Sequence, residues 1–204
     1  MNCKPLSLSI LCIICGFAVG VRGGDNLVLN PNFEHGLAHW KTEFPEPNET
    51  KYGENHKLVS AVDNPDGDGK VVLLDVTPKA APSQGVKAVT RLMRIEKDES
   101  YRFGAEVYTT GSAVKIFLEG YREDPEQSTA GHDKYPGLRR VFRKTIHVRP
   151  KANEWSEWYQ VAAPPPARYQ PTIVLVKLYG YHPAGKVYFR NVVLEKVEGE
   201  REGR

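Results

Sequence analysis

Cysteine is confined to Cys3, Cys12 and Cys15, and no sustained apolar run occurs after Val21. The rest of the chain therefore holds no disulfide, no thiolate metal site and no transmembrane helix. A dominant charge is lacking as well, with 28 Lys and Arg against 25 Asp and Glu. Bulk charge thus selects no partner, and nucleic-acid binding has no support. Apolar residues recurring at helical spacing are scarce, which argues against a helical fold. The 40% hydrophobic and 10% aromatic content still belongs to a folded globular protein and excludes disorder and collagen.

Lys4 precedes a compact apolar stretch from Leu6 to Val19, followed by small residues. This is the pattern of a secretory signal peptide over residues 1–23, with cleavage after Gly20 or Gly23. It predicts a secreted, periplasmic or cell-surface protein with no membrane attachment after cleavage. An uncleaved anchor is the alternative, opposed by a run shorter than the ~20 residues that cross a bilayer. Cutting after Gly23 removes Lys4 and Arg22 and no acid, leaving a net charge of +1.

Residues 24–198 read as a single all-β domain, with a disordered tail at 199–204. Short alternating or β-branched runs are separated by turn chemistry. Strands are expected at Asn26–Asn30, Lys57–Val62, Lys70–Val76, Val86–Ile95, Tyr101–Thr110, Ala113–Tyr121, Arg139–Val148, Glu154–Ala162, Thr172–Tyr181 and Lys186–Lys196. NPDGDG (64–69), TTGSA (109–113), EDPEQSTAGHDKYPG (123–137), PPP (164–166) and HPAG (182–185) break the pairing. No linker or repeat divides the domain, so the expected fold is a single two-sheet sandwich.

Alternation assigns faces. Tyr101, Phe103, Ala105 and Val107 fall on one side of their strand, and Val114, Ile116 and Leu118 on one side of the next; these should be core. If the two strands adjoin, Glu106, Tyr108, Lys115, Phe117, Glu119 and Tyr121 share one exposed sheet surface. Lys177 is best placed outward, which takes Tyr179 with it.

The opening NLVLNPNFEHGLAHW, the middle VKAVTRLMRIEKDESYRFGAEVYT, Trp155 with its run into PPP, and the closing GKVYFRNVVLEKV together resemble carbohydrate-binding modules of families 4, 9 and 22. The resemblance spans nearly all of residues 25–197. It implies a jelly-roll sandwich of the galactose-binding-like type that binds polysaccharide without cleaving it. Such modules commonly accompany secreted glycoside hydrolases, so a separately encoded hydrolase is an implied partner. They bind on a concave sheet or through loops at one end.

Sugars present hydroxyls around apolar C–H patches, so a binding surface needs flat rings flanked by charged or amide groups. Tyr108, Phe117, Tyr121 and Tyr179 supply candidate rings, with Glu106, Glu119, Lys115 and Lys177 as hydrogen-bonding partners. The alternative is that these cross-strand aromatics only stabilise a sheet. A loop site would instead use Tyr135, or Tyr181 and His182. The resemblance places Trp40 and Trp155 among core aromatics and leaves Trp158 open.

The resemblance also implies a structural calcium held by the Glu of an FE pair, here Glu34, and an acid in the closing strand. The closing positions read Arg190 and Asn191. Asn191 can offer only a neutral oxygen to a hard cation, and Arg190 could replace the metal's charge by pairing with Glu34. NPDGDG reads as a hairpin turn rather than a calcium loop, and His35 and His39 lack a helix to form a zinc pair.

Glu106 and Glu119, if on neighbouring strands, could serve as a glycosidase pair, which makes hydrolysis the alternative function. A cell-surface sandwich that binds another protein is a further one. RRVFRK (139–144) is the densest basic run. It reads either as an attractor of an anionic glycan or as a charged edge strand protected against aggregation. Regular alternation puts Arg140 and Lys144 with Phe142, and Arg139 with Arg143.

Overall fold

The computed structural model describes residues 24–42, 55–124 and 135–197. The anticipated signal peptide and tail, and most of the EDPEQSTAGHDKYPG loop, lie outside the described residues. Among the described residues eleven strands form: β1 Trp40–Thr42, β2 Val59–Asp63, β3 Lys70–Val76, β4 Val86–Thr90, β5 Met93–Arg94, β6 Tyr101–Thr109, β7 Ala113–Glu123, β8 Leu138–Val148, β9 Ser156–Ala162, β10 Ile173–Tyr181 and β11 Gly185–Lys196. Two sheets result, both antiparallel. One runs β1-β4-β10-β7-β8, with β5 also pairing β10; the other runs β2-β3-β11-β6-β9.

The inward sets anticipated from alternation meet between the sheets. Phe103, Ala105 and Val107 of β6 face Val114, Ile116 and Leu118 of β7 in one cluster, with Val174, Val176 and Leu178 of β10 and Val187 and Phe189 of β11. Phe33, Phe103 and Phe189 are wholly buried, and each contributes roughly 1.5–3 kcal/mol by leaving water. NPDGDG is a hairpin turn joining β2 to β3. Asn64 closes it by donating to the Asp68 carbonyl at 3.2 Å and accepting from the Asp66 N–H at 3.1 Å.

Two strand expectations need correction. Asn26–Asn30 is not a strand. Asn26 donates to the Val192 carbonyl at 2.9 Å and accepts from the Leu194 N–H at 3.0 Å, so a side chain replaces part of a ladder. Val86–Ile95 breaks into β4 and β5 where the Arg91 N–H turns to the His39 carbonyl at 3.1 Å. That contact lies next to β1, a short strand not anticipated.

A further correction decides the site. β6 and β7 do not adjoin: β6 lies in the five-stranded sheet and β7 in the six-stranded one. TTGSA is an arch across the core rather than a hairpin. The Thr109 hydroxyl donates to the Ser112 carbonyl at 3.0 Å and accepts from the Gly111 N–H at 3.1 Å, which fixes the crossing.

Candidate functional site

The arch splits the anticipated surface. Glu106 and Tyr108 face outward from the five-stranded sheet, whereas Lys115, Phe117, Glu119, Tyr121, Lys177 and Tyr179 face outward from the six-stranded sheet. Glu106 and Glu119 are therefore on opposite sides of the sandwich and cannot act on one glycosidic bond.

On the six-stranded sheet the register builds rows across four strands. Lys87, Tyr179, Lys115 and His147 form one row, and Val89, Lys177, Phe117 and Thr145 the next. Leu175, Glu119 and Arg143 follow, then Ile173, Tyr121 and Arg140. Neighbouring strands lie ~4.8 Å apart, so residues in a row touch.

In the last row Tyr121 and Ile173 are buried, while Arg140 is exposed. Tyr121 packs with Val89, Ile173 and Leu175 beneath Leu92, Tyr135 and Leu138. Tyr121 and Glu119 are thus not exposed binding groups as anticipated, and Lys177 is only 7% exposed. Glu119, 2% exposed, accepts from the Tyr121 hydroxyl at 2.9 Å, Lys177 Nζ at 3.0 Å and Arg140 Nη1 at 3.2 Å. Burial, and after it the Glu119 charge, drives the Tyr121 phenol far above its ordinary pKa, so it remains a donor.

A bulge supplies Arg140. Tyr121 pairs with Arg140 while Gly120 pairs with Phe142, which leaves Val141 as the extra residue. Phe142 therefore turns toward the core, and Arg140 joins Arg143 on the outer face rather than sharing a side with Phe142.

The rows nearest the β10–β11 end remain half open. Tyr179 and Tyr181 stack at 5.0 Å with an interplanar angle of 11°. Phe117 lies 6.1 Å from Tyr179, so three rings continue across the face. Each ring has a cation beside it: Lys115 is 4.7 Å from the Tyr181 centroid, Lys87 5.4 Å from Tyr179 and Arg143 5.6 Å from Phe117. Tyr181, anticipated only for a loop site, is part of this sheet face. It was legible in principle, because it continues the odd-numbered alternation of Lys177 and Tyr179. Burial raises the Tyr179 phenol pKa, with Tyr181 adding to the effect.

The opposite face is aromatic too, but its arginines are paired. Tyr108 sits 5.7 Å from Trp155 and 5.6 Å from Tyr188, and Arg190 covers Trp155 at 4.2 Å. Trp155 is therefore not a core residue, whereas Trp40 packs in the core against Phe33 at 4.9 Å. Trp158 packs against the core. Glu106 accepts from Arg190 Nε at 2.7 Å and from the Asn191 amide. Arg102 pairs with Glu195 at 2.8 Å.

This geometry also revises the calcium pair. Asn191 directs its amide N–H to Glu106, and Arg190 neutralises Glu106 rather than Glu34. Among the described residues no group of three or more His, Cys, Asp and Glu converges as a metal site. Asn191 takes φ +49° at the β11 bulge, and this turns its side chain toward β6.

Neither a family model nor a curated protein matches the sequence. Solved structures do match in shape. A Bacteroides thetaiotaomicron protein thought to bind sugar is 12% identical, covering 84% of this chain and all of that one, with a TM-score of 0.54. A family 4 carbohydrate-binding module is 9% identical over 83% of this chain and 99% of its own, with a TM-score of 0.50. The fold is that of the carbohydrate-binding jelly rolls. The CBM22-1 xylan-binding domain from Paenibacillus barcinonensis adopts it as well, at 11% identity over 86% of this chain and 97% of its own, with a TM-score of 0.50. In this jelly roll, as the register shows, the ring-bearing faces belong to different sheets.

Proposed function

We propose that this domain, residues 24–198, is an exported, non-catalytic polysaccharide-binding module that uses the outer face of its six-stranded sheet. The supporting observation is the continuous set of Phe117, Tyr179 and Tyr181, each with a lysine or arginine beside it. Rings offer flat apolar area to the C–H face of a pyranose, and the flanking cations reach hydroxyls at its edge. Buried Glu119 and Tyr121 hold the strands in place rather than meeting ligand.

Hydrolysis has no geometric support, because Glu106 and Glu119 point away from each other and each is engaged by basic partners. A hydrolase encoded separately would supply cleavage. Affinity electrophoresis through gels containing a panel of polysaccharides tests the reading. Retardation by at least one glycan, weakened in Phe117→Ala and Tyr179→Ala, is expected. Unchanged retention in both variants would remove this face as the site.

A further inference from the structure

We infer that the polysaccharide bound by this face is a polyuronate, a chain bearing about one carboxylate per sugar. The inference rests on the proposed binding role and adds the chemical class of the ligand. Around the three rings the described residues place Lys115, Lys177, Arg140 and Arg143, with Glu119 as the carboxylate among them. Glu119 is already bonded to Lys177, Arg140 and the Tyr121 hydroxyl. Lys115 and Arg143 have rings beside them and form no ion pair among the described residues.

The asymmetry between faces strengthens the case. On the five-stranded sheet Arg102 pairs with Glu195 and Arg190 with Glu106, whereas Lys115 and Arg143 of the other sheet have no such partner among the described residues. Protection of an edge strand accounts for Arg143 on β8 but not for Lys115 on β7, which is an interior strand.

The placement fits a uronate sugar. A ring stacked on the C–H face of a uronate leaves the carboxylate projecting from the sugar's edge, where a cation flanking the ring meets it in a charge-assisted hydrogen bond. A neutral sugar would leave these cations with hydroxyls alone. A densely sulfated chain would bind through charge, with little demand on the rings.

The experiment measures binding of the full mature chain to polygalacturonate, alginate, xylan, β-glucan, galactan and dextran sulfate at about 10 mM and about 0.15 M salt, where the screening length falls from about 30 to about 8 Å. Polyuronate binding at least about tenfold tighter than neutral-glycan binding at low salt, and weaker at high salt, is expected. Lys115→Gln, Arg143→Gln and Phe117→Ala should each weaken it several-fold, and Lys186→Gln on the opposite sheet should not. Binding to a neutral glycan with no polyuronate preference overturns the inference while leaving the proposed function intact. Dextran sulfate bound as tightly as polyuronate, with Phe117→Ala silent, also overturns it. No binding to any member of the panel removes both.

Discussion

Lys177 Nζ lies 3.0 Å from Glu119 Oε2, and the two side chains, on neighbouring strands β10 and β7, are both buried. A buried pair of this kind is costly to break from one side. Glu119→Ala should destabilise the domain by about 3–5 kcal/mol, because it takes the carboxylate from the buried Lys177 ammonium. The double change Glu119→Leu with Lys177→Met should recover most of that loss. Chemical denaturation of both variants measures it; a double variant as unstable as the single one would show that the pair itself holds the sheet.

Gly104 sits opposite Tyr159 in the β6–β9 ladder. A Cβ there would lie 2.0 Å from the Trp158 carbonyl oxygen, at φ +153°. Gly104→Ala should cost about 3 kcal/mol or more, since backbone rather than a flexible side chain must move. Gly111→Ala, with nothing within 4 Å, should cost about 1 kcal/mol from its positive φ alone. Thermal denaturation of the two variants tests the contrast, and equal losses would contradict it.

The phenols of Tyr101, Tyr121, Tyr159 and Tyr179 all titrate above their ordinary value of 10.0, chiefly through burial, with Tyr159 pushed up to about 12. Between those values the folded chain holds protons that the unfolded chain has released. Stability should therefore fall as pH rises above about 10. Denaturant midpoints from pH 9 to 12, followed alongside phenolate absorbance, would check it. All ten tyrosines ionising together near 10, with no loss of stability, would refute the burial argument.

The two aromatic faces should separate in binding assays. Tyr181→Ala removes a ring stacked on Tyr179 and should weaken glycan binding roughly tenfold, the equivalent of about 1.4 kcal/mol. Tyr108→Ala alters the other sheet and should leave affinity unchanged. Loss of binding in Tyr108→Ala alone would move the site to the five-stranded sheet.

Asn26 ties the N-terminal segment to β11 through the Val192 carbonyl and the Leu194 N–H. Asn26→Leu should cost about 1–3 kcal/mol by orphaning those groups. Asn26→Asp should retain the accepted bond and lose the donated one, giving an intermediate denaturation midpoint. Identical midpoints for the two variants would mean that the donated bond carries nothing.

Residue order alone carried the all-β class, most strand positions, and which side chains of β6, β7 and β10 point inward. Alternating hydrophobicity is a local property imposed by a two-residue repeat against a single core. It also reached the NPDGDG hairpin, where Asn64 and the glycines make the turn from within. It could not tell that TTGSA is an arch, because a hairpin and a crossing between sheets present the same alternation on either side. That ambiguity joined Tyr108 and Glu106 to Phe117 in one expected surface. Nor could it place Arg140, whose side is set by an extra residue in β8 opposite Gly120 and Tyr121. Partnership between Glu119, Lys177 and Arg140 spans three strands. Only the packed sheet brings those charges within hydrogen-bonding distance, and only there does burial make their pairing obligatory.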